Sequence, residues 1–96
     1  MSINRNTIVI AKDDILTTPI DDDLGLMNIE RGYYYTLNHI GKSIWNLIES
    51  RKSIHELVDL LLRDYDIDYE SCEKDVVQLL EALVKHNLVK VCNLGG

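Results

Sequence analysis

Between Asn38 and Asn87 the apolar residues fall at helical spacing three times in succession, and no other feature of the chain narrows its fold so far. Asn38 can cap the first run, because its side chain can accept from the open N–H groups of a first helical turn. Ile40, Ile44, Leu47 and Ile48 then share one face with Trp45 adjoining, which predicts a helix from about His39 to Glu49. "SIHE", Ser53 to Glu56, is a capping box, and Ile54, Leu57, Val58, Leu61 and Tyr65 follow it on one side. Asp68 or Ser71 can cap a third and longest helix. Its stripe is Cys72, Val76, Leu79, Leu80 and Leu83, widened by Val77 and Val84, and Asn87 can stop it because asparagine tolerates a left-handed backbone.

Upstream of Asn38 the spacing is that of strands. "TIVIA", Thr7 to Ala11, is short and β-branched, and Leu24 to Glu30 alternates with a shift between Leu26 and Met27 that suggests a bulge. The stretch between them, Lys12 to Asp23, holds the only proline and five aspartates. It reads as a solvated loop pinned to the body by Ile15, Leu16 and Ile20. Glu30-Arg31-Gly32 makes a tight turn into "YYYTL", so the second and third strands form a hairpin. On the third strand Tyr33, Tyr35 and Leu37 share one face and Tyr34 and Thr36 the other. Leu88 to Val91 can add a short strand, and the tail "NLGG" reads as frayed. The expected fold is α+β and winged-helix-like, a three-stranded antiparallel sheet followed by three helices. One domain is expected over residues 1–96, with its core at about 7–91.

Several functions are excluded by chemistry. Gly41-Lys42-Ser43 ends like a phosphate-binding loop, but Thr36 stands where that loop needs its first glycine to curl the backbone around the phosphates. A net charge of −6 repels nucleic acid, and the third helix carries Glu70, Glu73, Asp75 and Glu81 against Lys74 and Lys85, the wrong sign for a DNA groove. The N-terminal apolar run is too short for a signal peptide or a membrane span, so a cytoplasmic protein without membrane contact is expected. Cys72 and Cys92 make no C-x-x-C pair and read as reduced apolar fillers. His39, His55 and His86 lack ligand spacing, so neither metal nor cofactor is expected. No grouping of nucleophile, acid and base proposes an enzyme. An acidic carrier protein would need a serine opening a helix after an acidic residue, which "DIDY", Asp66 to Tyr69, does not supply. A winged-helix regulator or another small adaptor is the competing reading.

The ordered set "YYYTLNHIGKSIWNLIE", "SIHELVDLLLRDYDID" and "DVVQLLEALVKHNLV" resembles the PqqD-like RiPP recognition element over about Leu24 to Val89. The segment Gly32 to Trp45 is most similar to the stand-alone leader-peptide-binding proteins of lasso-peptide biosynthesis. In the family's pattern Gly41 allows close approach of the first helix to its neighbour, Ile44 and Trp45 fill the core, and Asn87 stands where glycine is common. The resemblance implies a non-catalytic module that binds the leader of a ribosomally made precursor as an added strand. It would present that leader to partner enzymes, a leader peptidase and a cyclase of the same pathway. It places the peptide beside Gly32, Tyr33, Tyr34, Tyr35 and Thr36, in a cleft closed by Cys72, Asp75, Val76, Leu79 and Leu83 of the third helix. An edge strand with unpaired backbone groups permits this. Whether Tyr33, Tyr35 and the third helix's apolar stripe are core or cleft, and whether Asp75 is solvated or meets a basic leader residue, the residues alone leave open.

Overall fold

A computed structural model of the chain describes residues 3–93. Its elements run β1 (Ile8–Ala11), β2 (Ile15–Ile20), β3 (Asp23–Asn28), β4 (Tyr33–Leu37), α1 (His39–Leu47), β5 (Lys52–Ser53), α2 (Ile54–Asp64), α3 (Tyr69–Lys85) and β6 (Val89–Val91). They form two three-stranded antiparallel sheets, ordered β5-β1-β6 and β2-β3-β4, with the three helices. Gly95 and Gly96, with Leu94, belong to the tail read as frayed and lie outside the described residues.

The helices begin and end where their chemistry says they should. Asn38 caps α1 by accepting from the Gly41 N–H at 2.9 Å. At α2, Ser53 Oγ accepts from the Glu56 N–H at 3.1 Å while the Glu56 carboxylate accepts from the Ser53 N–H at 2.9 Å, so two orphan amides are satisfied reciprocally. Of the two candidate caps for α3, Asp68 is the one used, accepting from Ser71 N–H at 3.0 Å. At the other end Asn87 turns left-handed at φ +60. Its N–H then reaches Val84 O and the Leu88 N–H reaches Leu83 O, the paired bonds of a Schellman ending.

Buried faces of the helices meet in one core. Ile44, Trp45 and Ile48 come from α1 and its end, Ile54, Leu57, Val58 and Leu61 from α2, and Cys72, Val76, Leu80 and Leu83 from α3. The sheets add Val9, Leu24, Leu26, Leu37, Val89 and Val91. Gly41 approaches Leu37 at the end of β4, where an added Cβ would stand 3.2 Å from that side chain, so the neighbour it accommodates is a strand and not another helix.

Three expectations change. Residues Ile15–Ile20 are a strand, paired with β3 over all six residues, and not a loop. Only Ile15 packs against the core, whereas Leu16 is 56% and Ile20 37% exposed, so two of the three supposed anchors face solvent. A strand at the sheet edge with both faces largely wet has no alternating pattern to read, and an edge tolerates Pro19. Second, β1 is not in the hairpin's sheet. It is the middle strand between β6 and the two-residue β5, an element the sequence did not suggest, with Val9 fully buried. Third, β3 runs in unbroken register against both neighbours, so there is no bulge. Leu24, Leu26 and Asn28 face inward, Met27 is 40% exposed on the outer face, and Ile29 already belongs to the turn.

Candidate functional site

The turn after β3 decides where β4 lies. Gly32, at φ +66, closes it by donating to Ile29 O, a backbone region that glycine enters without steric cost. The buried Asn28 then ties this turn to the end of α3: its Oδ1 accepts from Arg31 N–H at 3.2 Å and its Nδ2 donates to Asn87 O at 3.1 Å. The Asn87 side-chain oxygen accepts from the Arg31 guanidinium, and Tyr33 stacks on His86 with ring centroids 4.1 Å apart. One end of β4 is therefore clamped to the end of α3, and the strand runs from there past the helix towards Cys72.

Between the two elements lies a cleft of about 330 Å³. Tyr35, Thr36 and Leu37 of β4 form one wall, and Cys72, Asp75, Val76 and Leu79 of α3 the other. Those four helical positions are spaced i, i+3, i+4 and i+7, a single face of the helix. Asn38, Ile40, Gly41 and Ile44 close one end, with Leu61 and Ile67. Burial, and after it the Asp75 and Asp68 carboxylates, push the Cys72 thiol up, so it stays protonated and serves as apolar floor.

Six of the ten residues singled out from the sequence meet in this cleft: Tyr35, Thr36, Cys72, Asp75, Val76 and Leu79. The other four lie elsewhere. Gly32 is in the turn, Tyr33 is held in the His86 stack, and Tyr34 is 46% exposed on the outer face of the sheet. There its hydroxyl lies over Gly25, where an added Cβ would come within 2.5 Å of it. Leu83 is fully buried in the core, so its side chain is not offered to the cleft. Sequence reasoning assigned Ile40, Gly41 and Ile44 to packing alone and passed over Ile67. The signal that could have found Ile67 was a lone apolar residue between Asp66 and Asp68.

The edge beside this cleft is open. Among the described residues β4 pairs only with β3, and its five residues contain no proline or charge. The opposite edge of the same sheet, β2, contains Pro19, which removes a backbone donor. β5 and β6, at the edges of the other sheet, have two and three residues. Among the described residues β4 is thus the longest strand edge free of proline, and alternate residues along it turn their N–H and C=O groups outward. No three His, Cys, Asp or Glu side chains cluster among the described residues as a metal would require, and no helix there is long and apolar enough to cross a membrane.

The family model described as Coenzyme PQQ synthesis protein D (PqqD) matches residues 24–89. TbiB1, solved in complex with the TbiA(beta) leader peptide, is 31% identical, with 84% of this chain and 94% of that one covered at a TM-score of 0.75. The PqqD truncation of Methylobacterium extorquens PqqCD, described as a stand-alone RiPP recognition element, shares the fold at a TM-score of 0.77. Its identity is 14%, with 93% of this chain and 95% of that one covered. No curated protein sequence matches. The matched model spans the turn, the open edge, the cleft and all three helices, and the chain belongs to the PqqD family.

Proposed function

We propose that this protein is a non-catalytic recognition module that binds the leader region of a ribosomally made precursor peptide, of lasso type, and presents it to processing enzymes. The observation that carries the reading is the juxtaposition of an open β4 edge with an apolar cleft against α3. Added beside β4, an extended peptide would pair its main chain with the strand and send alternate side chains between Tyr35 and the Cys72, Val76 and Leu79 face. The likeness to TbiB1 supports the same reading. A leader peptidase and a cyclase are the partner enzymes such a module would serve, and it would meet its precursor in the cytoplasm, where the ribosome releases it. Ordering a flexible leader opposes binding, so a dissociation constant in roughly the nanomolar to micromolar range is expected.

The test is an amide-shift titration with the leader of the precursor. Shifts should cluster at Gly32 to Thr36 and along the first half of α3. Leu79→Glu, at a half-buried position, should leave the fold intact and weaken binding by placing a charge in the apolar cleft. Shifts confined to Asp13–Asp23 or to the solvent face of α2 would sink the strand-addition reading.

A further inference from the structure

Among the described residues, Asp75 is the one charged residue that lines the cleft. It sits in the middle of the α3 face that otherwise offers Cys72, Val76 and Leu79, and its side chain is exposed at the cleft's mouth. The ion pairs of the described residues, Arg5 with Glu73 and His55 with Asp59, leave Asp75 out. Asp68, the other carboxylate whose field reaches Cys72, is already occupied in capping α3. Asp75 has no such structural work, and its field extends to the apolar floor of the cleft.

From this arrangement we infer that Asp75 is a specificity-determining residue: it selects peptides that carry lysine or arginine an even number of positions from the apolar side chain filling the cleft. The inference rests on the leader-binding reading above. A peptide laid beside β4 strips water from the Asp75 carboxylate. If the residue brought over it is neutral, a charge is left partly desolvated and unpaired, and if it is acidic, two like charges meet. A cation avoids both penalties. Discrimination therefore comes as much from rejecting the wrong residue as from holding the right one. The β4 residues Tyr33 to Leu37 are uncharged, so the pairing edge itself adds no preference. The chain's net charge of −6 acts in the same direction at longer range. The even spacing follows from the strand: only every second side chain of an added strand faces α3, so the cation and the cleft-filling residue must share a parity.

A displayed library of random peptides, selected on the full-length protein and on its Asp75→Asn and Asp75→Lys variants, tests this. Because Asp75 is exposed and forms no ion pair with the described residues, both variants should melt with the wild type. Peptides selected on the wild type, and lost on Leu79→Gln, which makes the cleft polar without adding charge, should be enriched in lysine and arginine at even spacing from an apolar residue. Replacing that cation with glutamine should weaken binding about tenfold, equivalent to about 1.4 kcal/mol, and added salt should shrink the difference. Asp75→Asn should erase the preference, and Asp75→Lys should turn it to aspartate and glutamate. Cleft-binding peptides without charge preference, or a preference that survives in Asp75→Asn, would overturn the inference and leave leader binding standing. If no selected peptide depends on Leu79, the leader-binding reading fails, and the role of Asp75 falls with it.

Discussion

Trp45 is the only tryptophan of the chain, and it is 6% exposed on the buried face of α1, beside Ile44 and close in sequence to Ile48. Trp45→Ala removes the largest side chain that helix contributes to the core, where surrounding atoms relax only in part, and should cost about 3–5 kcal/mol. A chain of 96 residues is expected to be stable by roughly 5–14 kcal/mol, so the loss is about a fifth or more of the total. An unfolding entropy of about 2.1 cal/mol/K per residue amounts to about 0.2 kcal/mol/K for this length, which turns the loss into a fall in Tm of about 15–25 °C. Trp45→Phe keeps an aromatic ring in the site and should fall by less than half of that. Melting should be followed by far-ultraviolet circular dichroism, since the substitution removes the fluorescent reporter. A fall of only two or three degrees for Trp45→Ala would refute the placement of α1 in the core, and with it the wall that Ile40, Gly41 and Ile44 provide for the cleft.

Ser53→Ala should cost about 1 kcal/mol, because the Glu56 N–H loses its acceptor at the start of α2, and a melt lowered by about 5 °C would register it. The backbone N–H of Ser53, as the leading cause, holds the Glu56 carboxyl below its usual range, and that of Ser71 does the same for Asp68. A depressed folded-state value means that stability is fully present above the ordinary carboxylate range and is lost as pH falls through the folded-state values. Melting temperature plotted against pH should therefore decline on the acid side, and Glu56→Gln with Asp68→Asn should flatten that limb; an unchanged slope would show that these caps do not matter. Titration calorimetry with Mg-ATP or Mg-GTP should be silent, since Lys42 and Ser43 lie inside α1 and the backbone before them is β4. A micromolar heat abolished by Lys42→Ala would show a phosphate site after all.

The helices, their caps and their buried faces were legible in the sequence because their causes are local. Asn38, Ser53 with Glu56, and Asn87 act on amides or carbonyls within a few residues, and the stripes of α1, α2 and α3 need only helical periodicity. The alternation of β4 was legible for the same reason, with Leu37 buried and Tyr34 and Thr36 exposed. So was the spacing that puts Cys72, Asp75, Val76 and Leu79 on one face of a helix. What these residues met was decided by the tertiary structure. β2 is a strand only because β3 offers it an edge, and its own residues, wet on both faces, carry no pattern that distinguishes it from a loop. β1 left the hairpin's sheet for β5 and β6 through pairings across more than forty residues, which no local preference encodes. The same holds for the site. Tyr33 and Tyr35 are equivalent on an isolated strand, yet His86 at the end of α3 takes Tyr33 into a stack and leaves Tyr35 to line the cleft. Leu79 and Leu83 are equivalent on an isolated helix, and only the packing around α3 buries Leu83 completely while leaving Leu79 at the opening. Local chemistry specified which face each element would present, and distant contacts, which depend on how all the elements exclude water together, chose the part of that face left open for a ligand.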